Sequence, residues 1–293
     1  MIQAVYNYSL LNRTTFKIGG SARYFISCSS VEELHKSIEW CKCEGLPWFV
    51  LGGGSNILVS DDGFPGLVIR LNGVFKEINF GRDIVQVGAA VLLPVLSRHF
   101  MENQWCGFEF MCDIPGTVGG AVRINAGTKE GEIMDHFVSA MILAPNGDLR
   151  SISQEEMDFS CRHTSLSDTK AIILSARFAL VSKAEKGRIY EKMEQIMARR
   201  RQKQPRNRRN CGSIFKSNPG KTSPGWYIEQ AGLKGVRVGE VMVANEHANW
   251  IVNLGKARAE HVKSLIEKIQ TQVFREFGVR LEREVIYVPE DVM

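Results

Sequence analysis

No stretch of the chain approaches the roughly 20 consecutive apolar residues that a membrane-spanning helix needs. The opening, "MIQAVYNYSLLNRTTFKIGG", has no charged segment leading into an apolar one, so neither a signal peptide nor an anchor is expected. The seven cysteines (28, 41, 43, 106, 112, 161 and 211) are an odd number and form no C-x-x-C pair. That pattern predicts reduced thiols in a cytoplasmic protein and argues against a disulfide framework or a zinc site. Cys41 and Cys43 fall in a predicted helix, where positions i and i+2 do not share a face. The six histidines are scattered without H-E-x-x-H, and no metal is expected. Repeats, low-complexity tracts and Gly/Ser linkers are also missing.

What remains is an ordinary globular composition, 44% apolar and 24% charged, in 293 residues, enough for one large domain or two of usual size. The net charge of +5 is unevenly distributed. Residues 199–221 hold nine of the 37 Lys/Arg and none of the 32 acids, so the rest of the chain carries 28 basic against 32 acidic residues. A nucleic-acid coat would spread its charge more widely; this pattern points to one anion-facing segment. The run Arg199, Arg200, Arg201, Lys203, Arg206, Arg208, Arg209 leads into "CGSIFKSNPGK" (211–221), for which three readings compete: a nucleic-acid arm, a nucleotide phosphate loop, or an enzyme site for an anionic substrate.

Periodicity sketches the scaffold. Ser30 and Glu33 resemble a capping box ahead of a helix over 31–44 with apolar residues at 31, 34, 38 and 41. "PWFVLG", "GLVIRL" (66–71), "DIVQVGAAV" (83–91) and "KAIILSARFALV" (170–181) predict strands, and "VSAMILAPNGDLRSIS" predicts a hairpin around Asn146-Gly147. Residues 93–103 are helical in pattern, whereas 107–127, rich in glycine, are expected to form loop and tight turns. The pattern changes near 182. A charged helix over 184–201 is followed by strands at 241–244 and 249–254. A helix over 257–277 carries Val262, Leu265, Ile266, Ile269 and Val273 on one stripe, with Gly278 placed to end it. "VRLEREVIYV" predicts a last strand.

Two glycine-rich stretches stand out in the first part. "LGGGSNILVS" (51–60) and "IPGTVGGAVRINAG" (114–127) each follow apolar residues, and glycines let backbone N–H groups approach a pyrophosphate closely. Neither is G-x-G-x-x-G, and no crossover helix follows the first directly, so a Rossmann site is disfavoured. Thr117 and Asn125 could add polar contacts. A pair of such turns suggests a long polyphosphate-bearing cofactor laid against backbone amides. "PGKTS" (219–223) is not a phosphate loop, because the glycine required five positions before Gly220 is Phe215. Ser213 lies in no G-x-S-x-G and has no histidine nearby, so hydrolase chemistry would need a distant base. A serine beside Lys216 and a basic arm could instead give a proton to a carbanion-like intermediate of an anionic substrate. Its blander alternative is a turn hydroxyl.

Taken together, "TTFKIGGSARYF" (14–25), the two glycine stretches, "CGSIFK" (211–216), "IEQAGLKGVRVGEVMVANEHANWIVN" (228–253) and "FGVRLEREV" (277–285) resemble, in order and spacing, the UDP-N-acetylenolpyruvoylglucosamine reductase family of peptidoglycan precursor synthesis. The resemblance implies an α+β architecture. Residues 1–182 would form an FAD-binding domain of two α+β subdomains, of the vanillyl-alcohol-oxidase type, and residues 183–293 a smaller α+β substrate-binding domain. It implies FAD as cofactor and NADPH as co-substrate, reducing the enolpyruvyl ether of a UDP-sugar to UDP-N-acetylmuramate. No nucleic acid, no membrane and no second subunit are expected. The alternative is another FAD-dependent oxidoreductase of the same fold.

Carried over by motif, the family's catalytic residues fall on Arg162, Ser213 and Glu284, with Glu282 as runner-up to Glu284 because it shares a strand face at i−2. The flavin-binding positions are Gly52, Gly53, Gly54, Ser55 and Asn56 from the first stretch. Those from the second are Ile114, Pro115, Gly116, Thr117, Gly120, Ala121, Asn125 and Gly127. Lys216 and Asn218 are expected to meet substrate, with some upstream arginines on its diphosphate. Cys161 stands where the family often has tyrosine, and Ser217 separates Lys216 from Asn218-Pro219 where the family often continues directly with Asn-Pro. The short segment 163–210 resembles the subgroup without an extra tyrosine-bearing loop.

Overall fold

The computed structural model describes residues 3–205, 209–217 and 220–293. The first subdomain is a four-stranded sheet in the order Val5–Ser9, Ser21–Cys28, Phe64–Leu71, Trp48–Val50. The first pair is antiparallel and the other two are parallel. The helix Val31–Cys43 covers it, burying Leu34, Ile38 and Cys41 while Cys43 stays exposed. The expected cap is present: Ser30 Oγ accepts from Glu33 N at 3.2 Å, and Glu33 Oε2 accepts from Ser29 N.

The second subdomain is a five-stranded antiparallel sheet, ordered Leu149–Ser153, Phe137–Leu143, Ile172–Ala179, Ile84–Gly88, Ile78–Phe80. The predicted hairpin joins its first two strands through Asn146-Gly147. Helix Leu93–Glu102 packs beside it. One apolar core runs without a break through both subdomains, from Leu34 and Ile69 to Val87, Phe110 and Phe178.

The stretch 107–127 departs from the expected loop. It contains a 3-10 turn, Glu109–Asp113, and a short helix, Val118–Arg123, whose N-cap Thr117 accepts from Gly120 N. Two glycines and two valines in six residues give little intrinsic helix preference. Burial of Val118, Ala121 and Val122 in the shared core supplies what propensity does not.

The third unit contains the small antiparallel sheet Arg237–Val238, Val241–Val243, Ile251–Asn253, with helices Pro224–Gln230 and Ala259–Phe277. The predicted stripe Val262, Leu265, Ile266, Ile269 and Val273 is buried, each side chain contributing about 1.5–3 kcal/mol. Gly278 closes the helix in a left-handed conformation. Only Ile286–Val288 of the expected last strand is regular; residues 279–285 touch their neighbours through the bridge Phe215–Arg283 and bonds to the 214–216 backbone.

The units are interleaved. Strand Ile286–Val288 pairs in parallel with Ile57–Val59 of the N-terminal half, and Phe16, Ile18 and Leu58 belong to the C-terminal core. Helix Lys186–Lys203, which follows the expected boundary near 182, packs through Ile189, Met193 and Ile196 on Met101, Cys106 and Cys112.

Candidate active site

The two glycine-rich stretches lie against each other. A Cβ on Gly53 would stand 2.8 Å from Gly116 Cα, and one on Gly52 2.8 Å from Thr117 Oγ1. Ser55 Oγ donates to Pro115 O at 2.9 Å. Gly54 has φ +62°, and a Cβ there would fall 2.1 Å from Arg13 O, so no other residue fits without moving backbone. Among the described residues, nothing accepts a hydrogen bond from the N–H groups of Gly52, Gly53, Gly54, Ser55 or Asn56. Such a row of free donors in a concave turn suits an anion.

Asn56 links this loop to the C-terminal half: its Nδ2 donates to Glu284 O at 3.2 Å, and Ile286 N donates to its carbonyl at 3.0 Å. Glu284 N in turn donates to Ile214 O at 2.8 Å, next to Ser213. The side chain of Glu284 meets Arg162, with Nε 3.3 Å from Oε1, both largely withdrawn from water. The Arg162 guanidinium also donates to Gly127 O at 2.6 Å and Asn125 O at 3.4 Å. Arg162 itself has φ +59°, unusual for a non-glycine residue. Burial pushes the Glu284 carboxyl above the ordinary range, while the positive charges of Arg162 and Lys216 pull it back.

The Ser213 segment is held by a residue outside the expected site positions. Asn249 is buried; its Oδ1 accepts from Phe215 N at 3.0 Å, its Nδ2 donates to Phe215 O at 2.8 Å, and its carbonyl accepts from Ile214 N at 2.9 Å. Ser213 pairs as a single antiparallel bridge with Trp250. The available signal was a polar residue inside the apolar run "ANWIVN", which needs a buried partner. Cys161 Sγ donates to Ser217 O at 3.3 Å, so this thiol too links the Arg162 loop to the Ser213 loop.

The remaining expected positions divide. Gly120 sits within the Thr117 cap, Ile114 packs on the core, and Ala121 is inside it. Asn125 is fully buried, and its side chain is spent on Ser160 O and Met134 N, so it braces the fold and does not face the trough. Lys216 pairs with Glu282, which is 64% exposed, whereas Arg162 pairs with Glu284. Asn218, Arg206 and Arg208 lie outside the described residues. The described residues of the basic run do not all face one anion. Arg199 pairs with Glu130 at 3.0 Å, Arg200 with Asp113 at 2.8 Å, and Arg209 donates to Gly255 O at 3.2 Å. Arg199 and Arg200 dock the end of helix Lys186–Lys203 onto Glu130 and Asp113, which flank the second glycine-rich segment.

Two family models match separate parts of the chain. Residues 22–153 match the FAD binding domain model, and residues 204–288 match the C-terminal domain model of UDP-N-acetylenolpyruvoylglucosamine reductase. A Symbiobacterium thermophilum protein named UDP-N-acetylenolpyruvoylglucosamine reductase 2 is 40% identical over 94% of this chain and 89% of its own.

The chain belongs to the UDP-N-acetylenolpyruvoylglucosamine reductase family.

The reductase of Caldicellulosiruptor saccharolyticus is 41% identical, again over 94% of this chain and 89% of its own. The crystal structure of the reductase from Thermus caldophilus superposes with a TM-score of 0.84 at 35% identity, covering 99% of each chain. The architecture is therefore the α+β, two-subdomain FAD-binding fold with an appended reductase domain. The free N–H groups of 52–56, packed against Gly116, fit the pyrophosphate of FAD, as neither segment presents an acidic side chain to repel it. No helix among the described residues is long and apolar enough to cross a membrane, and they contain no cluster that could hold a metal ion.

Proposed function

We propose that Arg162, Ser213 and Glu284 carry the substrate half of the family's reaction. The chain is an FAD-dependent oxidoreductase that reduces UDP-N-acetylglucosamine enolpyruvate to UDP-N-acetylmuramate, with NADPH as donor. The observation that supports the assignment is the convergence of three distant segments: Arg162 on Glu284, and Glu284 backbone on the Ser213 loop.

Bound FAD supplies the hydride, taken from NADPH, and would be held along 52–56 and 114–117. As a hydride adds to the terminal vinyl carbon, the π electron pair moves toward the carbon that bears the carboxylate. Arg162, fixed by Gly127 O, Asn125 O and Glu284, presents positive charge to that carboxylate without having to reorganise. The Ser213 hydroxyl gives its proton to the same carbon, completing the C–H bond, and is reprotonated from solvent. Glu284 holds the guanidinium from a segment 122 residues further along the chain. Lys216 and Asn218 are assigned to the substrate's anionic groups, Lys216 exchanging Glu282 for phosphate oxygen.

We place the working division between the cofactor-binding and substrate-binding parts near 182, with helix Lys186–Lys203 as the connection docked on the first. Both motif sets lie on one chain, which supports action as a monomer, and the nucleotide substrates support a cytoplasmic location; sedimentation equilibrium checks the first. The decisive test is a spectrum: purified protein should be yellow, bleach with NADPH and recover on addition of the enolpyruvyl UDP-sugar. Recovery with simple alcohols and not with the UDP-sugar would refute the substrate assignment.

A further inference from the structure

We propose that Arg123 is a positioning residue for Arg162, its guanidinium and carbonyl together holding the loop 163–171 in the shape that presents Arg162 to substrate. The proposal rests on the role given to Arg162 above.

Arg123 ends the short helix Val118–Arg123 and is half-buried. Among the described residues, no carboxylate comes within ion-pairing distance of it; Asp168 is turned toward His163, 2.9 Å away. The guanidinium is satisfied by main-chain carbonyls of a single loop. Nη1 donates to Ala171 O at 3.1 Å, and Nη2 donates to Ser167 O at 3.1 Å and to Thr169 O. The Arg123 carbonyl receives the hydroxyls of Thr164, at 2.7 Å, and Ser167. All five contacts fall on residues 164–171. The planar, always-charged guanidinium suits a fan of carbonyls that no apolar side chain of the same volume could bind.

That loop begins immediately after Arg162, whose backbone sits at φ +59°. A non-glycine residue stays there only when its surroundings over-determine it. The other flank is tied to the same short stretch of chain, since Asn125 Nδ2 donates to Ser160 O and Asn125 O accepts from Arg162 Nη1. Residues 123 and 125 thus strap the Arg162 loop at both ends to the end of the flavin-segment helix. Loosening one strap should misplace the Arg162 guanidinium while leaving the trough at 52–56 and 114–117 in place.

The test uses Arg123→Met, Arg123→Lys and Arg162→Met, alone and in the 123/162 Met double variant, as flavin-loaded full-length protein. In Arg123→Met, flavin reoxidation by the enolpyruvyl UDP-sugar should slow by up to about 10²-fold, the cost of a misplaced catalytic group. Reduction by NADPH should stay near the wild-type rate. The lysine variant should fall between. On the Arg162→Met background the Arg123→Met change should cost little more, because the group it positions is gone. Hydrogen exchange of resting protein, measured without NADPH, should quicken across 163–171. Equal slowing of both half-reactions, full additivity with Arg162→Met, or unchanged exchange would each overturn the proposal. Should Arg123→Met fail to fold, Thr164→Val, which removes one bond of the same clamp, and Arg123→Lys decide: unaltered reoxidation in both refutes it. A near-normal rate in Arg162→Met alone would instead refute the role of Arg162.

Discussion

Arg162 Nε and Glu284 Oε1 stand 3.3 Å apart, joining the segment ahead of strand Ile172–Ala179 to a residue that follows the last long helix. The contact fixes the guanidinium from a side that its own segment does not reach. Its other hydrogen bonds go to the carbonyls of Gly127 and Asn125, so its charge is aimed by three groups on two distant segments. Preorganisation of this kind is what a developing negative charge on the substrate requires.

Replacing Arg162 by Met should therefore act on one half-reaction. We expect flavin reoxidation by the enolpyruvyl UDP-sugar to slow about 10²–10³-fold, the usual cost of a lost preorganised donor. Flavin reduction by NADPH should change little. Stopped-flow absorbance separates the two steps; comparable losses in both would exclude a role confined to substrate.

Ser213→Ala should show the same division with an additional signature. The loss expected for a general acid is about 10²–10⁴-fold. Whatever reoxidation remains should show a different solvent isotope effect, because water has become the proton source. A wild-type isotope effect and rate in the variant would remove Ser213 from the mechanism.

The trough makes a binding prediction. In Gly53→Ala the new methyl would meet Gly116 Cα, a main-chain atom, at 2.8 Å, and the two glycine segments must part. The variant should purify with less flavin and bind added FAD more weakly, as read from the ratio of visible to ultraviolet absorbance and from titration. Gly187→Ala serves as control, since nothing lies within 4 Å of its added methyl, and should retain flavin fully. Equal flavin content in the two variants would contradict the assigned trough.

Glu284 gives the pH dependence. Its carboxyl is raised above the ordinary value by burial, against the opposing charges of Arg162 and Lys216. A group with a raised folded pKa holds its proton in the folded chain after the unfolded chain has released it. Stability from this group is present below the unfolded value and is lost as pH climbs through the folded one. Thermal melts of wild type and Glu284→Gln, followed upward from pH 4, should show the wild type losing stability relative to the variant across that window. Parallel curves would mean that Glu284 titrates normally. In Arg162→Met the window should move to higher pH, because the main charge that lowers the carboxyl pKa is gone.

Thiol chemistry offers a check on burial. The Cys41 thiol is pushed up to about 11, and that of Cys211, deeper still and near the charge of Glu284, is pushed up as well. Native protein at neutral pH should alkylate at exposed Cys43, while Cys41 and Cys211 react only after unfolding. Mass spectrometry of tryptic peptides reads this directly.

Much of the scaffold follows from local pattern. The stripe Val262 to Val273, the Ser30–Glu33 cap, the Asn146-Gly147 turn and the apolar strands are short-range signals, and the chain obeys them because a single amphipathic face or turn decides each. Composition suggests that both glycine stretches serve one cofactor; that Gly53 packs on Gly116 is decided by the fold. The short helix Val118–Arg123 was not, because its glycines argue against it and only burial against strands far along the chain favours it. Nor was the fate of the basic run: seven positive charges in sequence suggest one field, but Arg199 and Arg200 turn toward Glu130 and Asp113. Linear charge patterns carry no information about which acids will stand opposite.

By itself the sequence determined which chemical groups were available: free-turning glycines for an anionic cofactor, a serine without a neighbouring histidine, and a few charged residues whose purpose could be named only by resemblance. Tertiary structure decided their pairing. It set Glu284 and not Glu282 on Arg162, spent the side chain of Asn125 on bracing, and brought Asn249 and Arg123 behind the two active loops. Those choices depend on contacts between residues distant in the chain, and hydrogen-bond geometry at such contacts is fixed only when the cores that carry them have packed.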